Sequence, residues 1–150
     1  MKARPSRSIV ARGAPLQIRH VILKVDDLDK ALAFYTNVLG FVKTRDDRRG
    51  SHRWLTVAAR KGPRGAELVL ESNSHRPARV SQQALYDAVF PAAILSTNDV
   101  AAEYQRLKTL GVKFRGKPKQ VGSRSFAFFD DTCGNFIVLL QSEATGSTHR

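Results

Sequence analysis

Apolar and polar positions recur along the chain in two similar series. Ile18 to Val25 is apolar and β-branched and predicts a strand. Asp26 or Asp27 then offers a side-chain oxygen to the unpaired N–H groups that open a helix. Leu28, Ala31, Leu32 and Tyr35 fall at i, i+3, i+4 and i+7, one face of that helix, and Gly40 supplies its stop. The plan returns about 72 residues later. Ala92 to Thr97 predicts a strand, Asn98 or Asp99 a cap, and Val100, Tyr104, Leu107 and Leu110 an apolar stripe that Gly111 ends.

The later halves of the two series also align, at an offset of about 71. Arg53-Trp-Leu-Thr-Val matches Arg124-Ser-Phe-Ala-Phe, and Glu67-Leu-Val-Leu matches Val138-Leu-Leu-Gln. Each copy therefore reads strand, helix, then about three strands. Residues 76–90 predict a short linking helix on Val80 and Ala84, which Pro91 closes. The expected fold class is α+β: two tandem βαβββ modules, about residues 17–75 and 91–142, whose curved mixed sheets enclose a groove. Residues 1–16, which are basic and lack apolar periodicity, and residues 143–150, which are small and polar, read as mobile tails.

Side chains alternate across a strand, so parity sorts them onto two faces. Val21, Leu23, Val25, Leu55, Val57, Leu68 and Leu70 form the set expected beneath the helix. The opposite set, His20, Ile22, Lys24, Trp54, Thr56, Glu67, Val69 and Glu71, should line the groove. In the second module the groove set is Ala92, Ile94, Ser96, Ser125, Ala127, Val138 and Leu140. One wall then carries imidazole, carboxylate, ammonium and indole, and the other is small and aliphatic.

The run from His20 to Phe41, with Asp27-Leu, Phe34-Tyr and Leu39-Gly-Phe in it, resembles the opening module of the glyoxalase/bleomycin-resistance/dioxygenase (vicinal-oxygen-chelate) superfamily. The run Asp130-Asp-Thr-Cys-Gly-Asn is similar to that superfamily's last hairpin, with Thr132-Cys133 in place of its usual proline and neighbour. The resemblance spans roughly residues 17–142 and points to a glyoxalase-like subgroup of unassigned function. It implies four metal-ligand positions, one on the first and one on the last strand of each module. In the first module these are His20 and Glu67; in the second they are Ala92 and Val138, neither of which binds a metal. The resemblance thus implies at most one divalent ion (Zn, Ni, Mn or Fe) on His20 and Glu67. A catalytic site needs a third protein ligand, for which His52, Glu71 or His75 are candidates. The alternative for His20 and Glu67 is a hydrogen-bonded pair. Lys24, Trp54, Thr56, Glu71, Ala92 and Val138 are the expected ligand-contacting residues. The resemblance also implies a homodimer, often with modules exchanged between chains.

Charge adds one constraint. With 25 Lys and Arg against 13 Asp and Glu, the net charge is +12, which favours an anionic small molecule. Lys24 and Arg53 are candidates to hold its acidic group. The basic series Lys113, Arg115, Lys117, Lys119 and Arg124 has no aromatic residue between Arg115 and Arg124 to stack a base, so it reads as a solvated loop and not a nucleic-acid surface. The longest apolar stretch, Phe136 to Leu140, is too short to cross a membrane. The single cysteine, Cys133, excludes an internal disulfide and fits a reducing, cytoplasmic setting; in its tight turn it reads as structural. Three functions stay open: a protein that binds a small molecule without chemistry; a metal-dependent glyoxalase-like lyase or dioxygenase in which Glu71 is a candidate base; and, least favoured, a nucleic-acid-associated protein using its basic tail and loop.

Overall fold

The computed structural model describes residues 13–61 and 65–142. The tails expected at 1–16 and 143–150 lie outside these residues, apart from 13–16.

The first module is β1 (His20–Val25), α1 (Leu28–Ala33), β2 (Val42–Arg49), β3 (His52–Ala58) and β4 (Glu67–Ser72). A linking helix, α2 (Arg76–Asp87), leads to the second module: β5 (Pro91–Ser96), α3 (Val100–Thr109), β6 (Lys119–Val121), β7 (Arg124–Asp130) and β8 (Phe136–Ser142). The fold is α+β, as expected. The two four-stranded sheets have the orders β1-β4-β3-β2 and β5-β8-β7-β6. Each is mixed, because the first strand of a module runs parallel to its last while the other pairs are antiparallel.

Local chemistry sets the helix starts. Asp27 and Asp99 sit in extended backbone, and each accepts a hydrogen bond from the backbone N–H three residues on, at 3.1 and 3.0 Å. After Ala33, α1 loosens into one π-helical turn, Phe34–Val38. Gly40 then takes a left-handed φ of 86°, as the stop requires.

One apolar core serves both modules. Leu23, Val25, Leu55, Val57 and Leu70 of the first sheet join Ala127, Phe129, Ile137 and Leu139 of the second, with Ala31 on α1, Tyr35 in the turn after it, and Val100 and Leu107 on α3. Full burial of each large apolar side chain is worth roughly 1.5–3 kcal/mol. The helix-bearing faces of the two sheets therefore share one core, and the opposite faces stay partly exposed. Ile22 and Ile94, on those outer faces, are 59% and 63% exposed.

Two expectations of the face reading are corrected. Val21 is 45% exposed, because burial of β1 begins only at Leu23. In the second module, Phe128 pairs with Val138 as Thr56 pairs with Val69. Trp54 and Thr56 thus correspond to Phe126 and Phe128, and Glu67 to Phe136. Ala127 belongs to the core, at 2% exposure, and Ser125 shares its side of β7. The alignment slipped because eight residues separate β3 from β4 but only five separate β7 from β8. A one-residue slip in a strand exchanges its faces.

Candidate functional site

The parallel pairing of β1 with β4 makes His20 and Glu67 register partners on the outer face of module one. His20 Nε2 lies 3.7 Å from Glu67 Oε2, with both side chains about one-third exposed. Thr44 Oγ1 donates to the same carboxylate oxygen at 3.1 Å and lies 2.6 Å from Thr56 Oγ1. The His20 ring meets the Trp54 indole edge-on, with centroids 5.4 Å apart and an interplanar angle of 76°. This carboxylate, imidazole and indole form a continuous polar surface.

Further along β1 on the same face, Lys24 Nζ lies 3.2 Å from Glu71 Oε2, again a register pair. Lys24 and Ala92 meet in a cavity of about 420 Å³ between β1, α2 and the starts of β5 and β8, with Ile22, Leu85, Phe90 and Phe136 in its wall. That volume is within the range of small-molecule sites. Thr56 and Val138, both expected to touch ligand, are 0% and 8% exposed. Thr56 backs the surface through its hydroxyl pair with Thr44, and Val138 is covered in the row between Ile94 and Phe128.

Arg53, a candidate for anion binding, is on the core side of β3 and is already committed. It donates to Asp46 at 2.8 and 2.9 Å and to Asp29 at 2.7 Å. The guanidinium holds the Asp46 carboxyl down at about 2 and lowers that of Asp29. The alignment slip also hid two residues of the second module's outer face. Phe126 and Phe128 are half-buried there, with rings 5.9 Å apart at 84°. That wall is aromatic and aliphatic where the sequence suggested small side chains. The signal that could have found them is the shorter turn before β8.

A family model described as "Glyoxalase/Bleomycin resistance protein/Dioxygenase superfamily" matches residues 17–139. The chain belongs to this superfamily. Within it, the chain is 42% identical over 117 residues to the uncharacterized protein YurT of Bacillus subtilis, covering 78% of this chain and 92% of YurT. It is 27% identical over 135 residues to the lactoylglutathione lyase of Salmonella typhimurium, covering 87% of this chain and 96% of that one. Its structure is similar to that of TnmS3, an antibiotic binding protein from Streptomyces sp. CB03234, with a TM-score of 0.68, 29% identity, and coverage of 87% and 99% of the two chains.

A divalent metal site needs a convergent donor set, and the described residues of a single chain do not complete one. His20 and Glu67 supply two donors. Their second-module counterparts are Pro91 and Phe136, register partners in turn, and β5 is irregular between Pro91 and Ala93, at Ala92. Among the described residues no three His, Cys, Asp or Glu side chains gather at one point. Glu71 faces Lys24, His52 lies at the β2–β3 turn, and His75 precedes α2, so none of the three proposed third ligands joins the pair. None of the helices among the described residues is long and apolar enough to cross a membrane.

Proposed function

We propose that this protein binds a small organic molecule and holds it without chemical conversion, in a groove completed by a second copy of the chain. The observation that carries the reading is the asymmetry between the two outer faces. Module one offers His20, Glu67, Trp54 and Lys24; module two offers Ile94, Phe126, Phe128 and Leu140, which bind no metal. A hydrophobic wall opposite a few fixed polar groups suits recognition of a largely apolar ligand. Each outer face leaves an isoleucine open, Ile22 at 59% and Ile94 at 63%, and the complementary face of a second copy would bury them. The likeness to an antibiotic binding protein supports the same reading.

The likeness to a lactoylglutathione lyase supports a second reading, in which His20 and Glu67 are two ligands of a working metal site. Elemental analysis of protein purified without chelator or metal affinity separates the two. The binding reading expects less than about 0.1 divalent ion per chain, a dimer in sedimentation, and thermal stabilisation by ligand that His20→Ala alters without dependence on added metal. Near-stoichiometric Ni, Zn, Mn or Fe that disappears in Glu67→Ala would overturn it in favour of the lyase or dioxygenase.

A further inference from the structure

We propose that the outer end of the module-one face recognises the acidic group of an aromatic ligand, with Trp54 beneath the ring and Arg45, Arg49 and His52 at the acid. The inference rests on the ligand-binding reading above and narrows it to a chemical class.

The register of β2 against β3 makes the arrangement. Arg45 pairs with Thr56, Asp47 with Trp54 and Arg49 with His52, so alternate residues of β2 share the face that carries Trp54. Together Arg45, Asp47, Arg49, His52 and Trp54 line a concavity of about 260 Å³. The indole connects it to the inner site, since His20 stands edge-on to the same ring.

Competition among charges places the anion here and not where the sequence suggested. Lys24 is paired with Glu71, and Arg53 with Asp46 and Asp29. Arg49 and His52 have no carboxylate within 4.0 Å among the described residues. Arg45 has one, Asp47 at 3.0 Å, but these side chains are 65% and 53% exposed. An exposed pair of this kind is worth little, so a ligand carboxylate can displace it. A guanidinium grips a carboxylate, sulfonate or phosphate through two parallel N–H bonds, and a planar ring stacks on indole. The excess of positive charge raises the local concentration of anions.

The face also orients its ligand. Glu67, at the inner end, repels a second acid and accepts from hydroxyl or amide donors. The ligand is therefore an aromatic acid whose acidic group lies along the arginine row of β2 and whose hydrogen-bond donors point to β1 and β4. Cationic aromatics are disfavoured by the arginine row.

Trp54 is the one tryptophan in the chain, so its fluorescence reports this site alone. The test titrates the wild-type protein with anthraquinone-2-carboxylate and with the neutral anthraquinone-2-carboxamide, following Trp54 quenching and heat of binding. The expected result is binding of the acid at least about tenfold tighter than the amide. That preference should shrink as salt rises from 50 to 500 mM, and should vanish in Arg45→Gln/Arg49→Gln with amide binding retained. Retained amide binding shows that the double variant is folded. Equal affinity for acid and amide, or an acid preference that survives in the double variant, overturns the inference and leaves the ligand-binding reading standing. Failure of both compounds to bind at millimolar concentration also overturns the inference, and the ligand-binding reading then stands or falls on the metal analysis above.

Discussion

Tyr35 Oη donates a 2.8 Å hydrogen bond to Asp131 Oδ2, joining the end of the first helix to the last hairpin across 96 positions of sequence. Both residues are fully buried. The Asp131 carboxyl also accepts from Asn135 Nδ2 and from the backbone N–H groups of Cys133 and Asn135. Burial raises its pKa, which these donors oppose, and burial beside it raises that of Tyr35. A buried polar group stripped of a donor retains its desolvation cost, about 1–3 kcal/mol. Tyr35→Phe should therefore lower unfolding free energy by about that amount in urea titration, with the m-value unchanged. A loss below about 0.5 kcal/mol would show that the bond contributes nothing net.

Acid should weaken the clasp between α1, β2 and β3. The Asp46 pKa is lowered from 3.8 to about 2 by Arg53. A depressed carboxyl contributes stability that is fully present above the unfolded value and is lost as pH falls towards the folded one. The urea midpoint of the wild type should thus drop between about pH 4 and pH 2. Arg53→Met should be less stable at pH 7, with a deficit that shrinks over that window. A deficit constant from pH 7 to pH 2.5 would contradict the account.

Cys133 should be chemically silent in the folded protein. It is fully buried, and burial, reinforced by the Asp131 charge, pushes its thiol up to about 12. Thiolate, the reactive form, is then scarce at pH 8. A disulfide reagent should titrate no thiol in native protein within minutes and one per chain in urea. Rapid native reaction would mean that the last hairpin opens readily.

Gly134 keeps the linking helix seated. Its φ is +101°, and a Cβ there would lie 2.7 Å from Gln82 Nε2. That amide reaches Lys24 O at 2.9 Å, Asn135 Oδ1 at 3.1 Å and Cys133 O at 3.3 Å, tying α2 to both modules. Apart from Gln82, α2 is held chiefly by Tyr86, which donates to Asp130 at 2.6 Å and stacks on Phe136; none of its residues is buried. Gly134→Ala should cost more than about 1 kcal/mol and speed proteolysis within residues 76–90. Gln82→Ala should cost less in the Gly134→Ala background than in the wild type, because the clash has already displaced the amide. Strict additivity would rule out this contact as the cause.

The helix stops at Gly40 and Gly111, the caps at Asp27 and Asp99, and the duplicated strand-helix-strand plan were all legible in the chain, because each depends on neighbours within a few residues. Alternation along β1 and β4 likewise put His20, Lys24, Glu67 and Glu71 on one face, while the choice of Glu67 as the partner of His20 came from the resemblance and is what the strand register shows. The placement of Arg45 and Arg49 on the Trp54 face was not legible, because β2 has no apolar alternation to reveal its faces and the strand is irregular between Lys43 and Arg45.

The sequence by itself determined the two βαβββ modules and which residues of β1, β3 and β4 share a face, since periodicity and local backbone chemistry carry that information, and its motifs carried the resemblance to the family. Only the tertiary structure decided that Phe126 and Phe128 face outward, that Arg53 is consumed by Asp46 and Asp29, and that the two helix-bearing faces share one core. These outcomes turn on a three-residue difference between loops and on competition among charges that meet only when distant strands pair, which no spacing within the chain encodes.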